Sequence, residues 1–215
     1  NASAESDAVA KGAAAVEVKL VAAGKGAEAE KVHELRDKLA DSQTSGSDLE
    51  AGAKEAHELA EQLKESDPEL AAEIEALAKE MDEVAKKKLE SDALNKEKEA
   101  VDDLKEAKDA GDAAADRLEK AGNKEDAEEV KRITHIVEDM ANGGEVSPEE
   151  LDKAIDDTKN EISKLRLAGD PDSVAAADLL EQSLGKLEAA KEADQESTAA
   201  TNEASRIEAD QNASA

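Results

Sequence analysis

Residues 147–193 read SPEELDKAIDDTKNEISKLRLAGDPDSVAAADLLEQSLGKLEAAKEA, and this stretch decides the fold. Ser147 is placed to accept a hydrogen bond from a first-turn N–H. Pro148 suits the first helical position, where its missing donor costs nothing, and Glu150 completes a capping box. Val146 and Leu151 form a hydrophobic staple across that start. Leu151, Ile155, Thr158, Ile162 and Leu165 then step by four, three, four and three, which keeps one apolar stripe on one helix face. Gly169 supplies a left-handed stop, Asp170 caps again, and Pro171 restarts the chain. Val174, Ala177, Leu180, Leu184 and Leu187 make the answering stripe. Two helices joined by so short a turn lie antiparallel with stripes facing. Leu151, Ile155, Ile162, Leu165, Leu180, Leu184 and Leu187 are therefore expected in one core.

Outward from this hairpin the same grammar recurs. Ser66, Asp67 and Pro68 break one helix and open another, in which Leu70, Ile74, Leu77, Met81 and Val84 repeat the four-three alternation. Such a period suits the shallow crossing angles of helical bundles. The charged run from Lys86 to Asp92 interrupts the stripe, which predicts a turn near Ser91. Leu94, Val101, Leu104, Ala115 and Leu118 resume it. Gly111, about 1 kcal/mol poorer than Ala inside a helix, marks a candidate break. Gly122 and Asn123 end that helix. Ala127, Val130, Ile133, Val137 and Met140 stripe the next, which Asn142, Gly143 and Gly144 close.

Towards the N-terminus, Ser6 to Ala23 is Ala-rich, and Val16, Val18 and Leu20 alternate as a strand would. No second strand-like run exists to pair with it, so helix is the expectation. Gly24 and Gly26 end it, and a short helix follows from Ala27 to Asp41 with Val32, Leu35 and Leu39 on one face. After the polar linker 42–46, Ser47 or Asp48 is expected to cap a helix striped by Leu49, Ala53, Ala56, Ala60 and Leu63. Beyond Ala193 only Ile207 remains as a large aliphatic, which predicts a fraying or solvated tail. The expected organisation is a flank at 1–4, a candidate mobile helical pair at 5–46, a main bundle at 47–195, a helical extension at 196–211 and a flank at 212–215. Both flanks read NASA, as engineered ends would. Asn1 and Asn212 are also glycosylation acceptors in any chain that passes through a secretory pathway. With no charged-then-apolar leader, any targeting segment is absent or already removed.

Composition narrows the function classes. Fifty-six acidic against 28 basic residues give a net charge of −28, which repels nucleic acid and anionic lipid. No apolar run approaches the ~18 residues of a membrane span. The chain has no Cys, which excludes disulfides and thiol chemistry, and no Phe, Tyr or Trp, the residues that dominate large cores and interface anchors. Leu, Ile, Val and Met total 38 residues and Ala 45, so the core is thin and lined by methyls. So few large aliphatics at this charge also fit a disordered, desiccation-protectant-like chain. The agreement of caps with apolar periods argues for order instead.

Three histidines allow the metal hypothesis to be checked in full. Glu30 and His33 form one Glu-x-x-His half-motif of a bundle di-iron site. His57 follows Lys54 and His135 follows Arg132, so the second half is missing. His57 with Glu61, and His135 with Glu138 or Asp139, read as exposed surface pairs. No calcium-loop pattern, phosphate-binding loop or nucleophile elbow is present. The expectation is therefore no enzyme, no cofactor, no small-molecule ligand and no nucleic-acid or membrane partner.

The sets Ser66-Asp67-Pro68-Glu69-Leu70, Ser147-Pro148-Glu149-Glu150-Leu151 and Gly169-Asp170-Pro171-Asp172 resemble the capping and patterning of a computationally designed α-helical bundle. The resemblance covers Ser47 to Ala193 well and the first forty residues poorly, and it is one of style. It implies an all-α antiparallel bundle of seven or eight helices serving as a structural scaffold. A helix-hairpin solenoid is the alternative architecture. The alternative function is a binding module that opens at 42–46 to accept a basic amphipathic helix.

Overall fold

The computed structural model describes residues 2–143 and 145–213. Asn1, the acceptor residue of the first flank, Gly144 and the last two residues of the C-terminal flank lie outside the described residues. Among the described residues seven helices follow one another: α1 (Ala2–Ala22), α2 (Gly26–Ala40), α3 (Gly46–Leu63), α4 (Pro68–Lys120), α5 (Lys124–Gly143), α6 (Pro148–Ala168) and α7 (Pro171–Ala213). No strand occurs among the described residues, and the fold is an all-α helical bundle.

Helix ends follow the local chemistry. Ser147 caps α6 and accepts from the N–H of Glu150 with Pro148 in the first turn, and Gly169 ends the helix at φ +72°. That is the left-handed conformation Gly adopts without a Cβ penalty. Asp170 Oδ1 then accepts from the N–H of Ser173 at 2.9 Å to start α7. Asp67 does the same for Leu70 at 3.3 Å. At α3 the expected cap is corrected: Ser45, not Ser47 or Asp48, accepts from Asp48 N–H. Ser47 lies inside the first turn and instead donates to Glu203.

The chain forms two compact units, divided elsewhere than at 42–46. The first holds residues up to Ala93 with Thr198 onward, and the second Leu94–Ser197. In the first unit Val9, Val16 and Leu20 of α1 and Val32, Leu35 and Leu39 of α2 share one buried cluster with the α3 stripe and with Leu70, Ile74, Leu77, Met81 and Val84 of α4. Residues 5–46 thus contribute to a core. The tail does as well: Ala204 and Ile207 of α7 are each 4 % exposed in that cluster, and Arg206 pairs with buried Glu50. Residues 198–213 are a packed helical segment, a correction to the expected solvated extension.

The second unit contains the hairpin α6–α7 with α5 and the remainder of α4. Lys159–Glu188 and Lys191–Asp152 ion pairs show the antiparallel register of α6 and α7. The single core expected here is two clusters. Leu151, Ile155 and Leu187 gather with Leu104, Ile133, Val137 and Met140. Ile162, Leu165 and Leu180 gather with Leu118 and Val130, and half-buried Leu184 packs against both groups. Val174, expected in the stripe, is on the outside.

Two further expectations fail for one reason. No turn occurs near Ser91 and no break at Gly111, because α4 is continuous from Pro68 to Lys120. Leu89 and Ala93 carry the buried stripe past the charged run, Leu94 is exposed, and Ala100, Leu104 and Ala107 continue inward. Counting large aliphatics alone misses a stripe in which Ala holds core positions. At Gly111 the helices approach so closely that a Cβ there would sit 2.6 Å from Thr134 Oγ1 of α5.

Candidate functional site

A cross-helix polar arrangement lies in the first unit, where α3, α4 and the end of α7 meet. Glu50, Lys54 and His57 fall at i, i+4 and i+7 of α3, and Glu75, Lys79 and Asp82 at the same spacing on α4, so each set shares a helix edge. Folding the chain back through 64–67 brings the two edges together. Between them and Ile207 of α7 is a groove of about 460 Å³.

His57 sits at its centre with both ring nitrogens engaged: Nδ1 is 2.9 Å from Glu75 Oε2 and Nε2 is 2.9 Å from Asp82 Oδ2. Two carboxylates facing two nitrogens favour the imidazolium, which donates from both. Burial opposes that charge, but the hydrogen bonds to Asp82 and Glu75 outweigh it and raise the His57 pKa. Asp82 is raised as well, because burial together with the charges of Glu50 and Glu75 outweighs the attraction of His57. The expected exposed pairing of His57 with Glu61 is thereby corrected to a clasp between α3 and α4.

Beside it Glu50 is only 4 % exposed. It is 3.3 Å from Lys54 Nζ and pairs with the Arg206 guanidinium. Burial disfavours its charge, while hydrogen bonds from Glu203, Arg206 and Lys54 prevail and hold its pKa below the usual value. Glu203, hydrogen-bonded to Glu50, shifts upward in response. The two carboxyls are thus pushed apart, Glu50 downward and Glu203 upward.

An aspartate that orients a histidine is the arrangement of a general base, but a base needs its other nitrogen free for a substrate proton. Here Glu75 takes that nitrogen. The chemistry that the geometry favours is cross-helix attachment.

The other histidines have similar partners. Glu30 is exposed; His33 turns instead to Glu17 of α1 at 3.1 Å and to Asp37 at 3.5 Å, while Arg36 binds the same Glu17 at 2.7 Å. The Glu30 and His33 half-motif is thus not assembled as a ligand pair. His135 lies within 4 Å of Glu138 and Asp139 on the surface of α5. Among the described residues no group of three or more His, Asp or Glu is placed to hold a metal, and no helix is long and apolar enough to cross a membrane. The sequence contained the signal for the His57 clasp, because a hairpin centred on 64–67 sets position 57 opposite 74–75. It gave no signal that the end of α7 would close the same groove.

In comparison with known proteins, no family, curated protein or solved structure matches the chain.

Proposed function

We propose that the protein is a structural scaffold without catalytic activity, of the kind the designed-bundle resemblance implies. Its charged side chains serve to fix helix against helix. The observation that carries this reading is the His57 clasp, in which the side chain best suited to acid–base chemistry has both nitrogens bound to carboxylates of the neighbouring helix.

The same use recurs through both units. Arg36 of α2 holds Glu17 of α1, Lys186 of α7 holds Asp103 of α4 at 3.0 Å, and Arg132 of α5, paired with Glu129 of its own helix, reaches Asp157 of α6. Ser183 donates to the buried carbonyl of Ala107 at 2.8 Å. Exposed ion pairs add little stability one by one. Their effect is on register, since each rewards one sliding position of a helix past its neighbour and penalises others. That matters in a core made largely of Ala and Leu, which distinguishes registers poorly.

The alternative is the module that opens at 42–46 for a basic amphipathic helix. Opening there would expose Leu20, Val32, Leu35 and Leu39, all buried with α3 and α4, and that cost favours the scaffold. Native-state hydrogen exchange separates the two readings. The scaffold requires amides from Val16 to Leu39 to be as protected as those from Ile155 to Leu165. Fast exchange confined to the first set, slowed by an added cationic amphipathic helix, would establish the module instead.

A further inference from the structure

We propose that Glu161 and Asp126 hold one proton between them at the contact of α6 with α5, and that this proton tightens the contact when bound and loosens it when lost. Glu161 is 5 % exposed, on a helix face among the buried positions Thr158, Ile162 and Leu165. Its Oε1 is buried without a hydrogen-bond partner. At that oxygen an ionised carboxylate forfeits its hydration without a hydrogen bond in return. Protonation changes this, because a neutral carboxyl gains an O–H to donate and Asp126 lies within hydrogen-bonding reach.

Asp126 is the partner that keeps the charge. It is itself 7 % exposed and pairs with Lys164, while Asn123 Nδ2 donates to its second oxygen at 2.5 Å. Burial works against its ionisation, but Lys164 and Asn123 outweigh burial and hold its carboxyl below the usual range. For Glu161 the balance reverses. Burial comes first and the charge of Asp126 next, against partial relief from Lys164, and together they push its carboxyl up to about 7. The other charges around it do not offer it a cation. On α5, Glu129 adds further negative charge and is engaged by Arg132, which also takes Asp157 of α6; Glu125 reaches only Lys164, at 4.0 Å. On α7, Asp178, Glu181 and Glu188 face Arg166 and Lys159 of α6. On α4, Glu119 pairs with Lys131 of α5.

The sign follows from the raised value. A carboxyl whose folded pKa exceeds its ordinary 4.5 contributes its full stability below 4.5, and that contribution is lost as pH rises through about 7. A contact of this kind responds to proton concentration near neutrality, which ordinary carboxylates do not.

The test is a carbon-13 titration of glutamate side chains in the full chain, with Glu161 assigned by its disappearance in Glu161→Gln. One glutamate carboxyl should titrate near pH 7. In Asp126→Asn, which removes the neighbouring charge, the midpoint should fall by a unit or more. The melting temperature of the wild type should decline between pH 5 and 8, and Glu161→Gln, which keeps a hydrogen-bond donor, should make that decline shallower, in the wild type and equally in a His57→Gln background that removes the separate contribution of the clasp. A Glu161 midpoint below pH 5.5 overturns the proposal, as does a midpoint unmoved by Asp126→Asn or a decline that Glu161→Gln leaves intact. Should Glu161→Gln fail to fold, the wild-type and Asp126→Asn titrations decide alone: a near-neutral signal that moves down upholds the proposal, and its absence overturns it.

Discussion

Gly111→Ala sets two effects against each other whose magnitudes can be compared. By helix propensity alone, Ala in the interior of α4 gains about 1 kcal/mol over Gly. The added Cβ, however, would meet Thr134 Oγ1 at 2.6 Å, with Thr134 Cβ and Cγ2 at 3.6 Å. Thr134 cannot easily retreat. It is β-branched, 6 % exposed, and its hydroxyl donates to Val130 O at 2.8 Å. Rotating χ1 breaks that bond, a loss of about 1 kcal/mol, and turns another substituent towards the same point. Overpacking of this kind costs about 1–3 kcal/mol, so the net effect is destabilisation of about 0–2 kcal/mol. Thr134→Ala removes the obstructing oxygen, and in that background Gly111→Ala should become stabilising by up to about 1 kcal/mol. Gly185→Ala at an exposed position of α7, where nothing lies within 4 Å of the new Cβ, supplies the pure propensity gain as a control. Urea unfolding of the four members of the cycle gives the coupling, expected at about 1–3 kcal/mol. If Gly111→Ala stabilises the wild type as much as it stabilises Thr134→Ala, the close approach of α4 and α5 is refuted.

Leu180, 2 % exposed between Leu165 and Leu118, should lose about 2–5 kcal/mol on truncation to Ala, read by denaturant unfolding; an unchanged midpoint would place its stripe in solvent. Ile207→Ala separates a packed tail from a frayed one, since the buried side chain predicts a loss of more than about 1 kcal/mol and a frayed helix end less than about 0.5 kcal/mol. The raised His57 pKa means that the clasp is fully stabilising below pH 6.5 and weakens as pH rises through the higher folded value. His57→Gln should therefore flatten the part of the wild-type melting profile above pH 7, and equal slopes in the two proteins would remove the imidazolium from the account.

The caps and the turn of the α6–α7 hairpin were legible because their determinants are local, whereas the division of its stripes into two clusters and the outward position of Val174 were not. Ser147, Pro148, Gly169, Asp170 and Pro171 act on backbone groups within four residues, and the apolar period of each helix is written beside them. The His57 clasp was legible in principle, since a short turn fixes which positions of α3 and α4 oppose one another, but helical spacing alone pairs His57 with Glu61 of its own helix. The Glu30 and His33 half-motif shows the converse: two suitable side chains one turn apart mean little when His33 pairs with Glu17 of another helix and Glu30 lies exposed.

The sequence by itself determined the all-α class, the turns at 64–67 and 169–170 and the aliphatic character of the cores, all consequences of periodicity and capping within a few residues. Only the tertiary structure decided that α4 continues past Ser91 and Gly111, that residues 198–213 belong with the N-terminal helices, and that Glu161 is buried beside Asp126. The physical reason is common to these cases. An Ala, a Gly or a Glu has no fixed preference for inside or outside, and its burial depends on how closely a distant helix approaches. In a chain with 45 Ala and no aromatic residue, much of the core is made of positions whose environment is chosen by packing and not by the side chain itself.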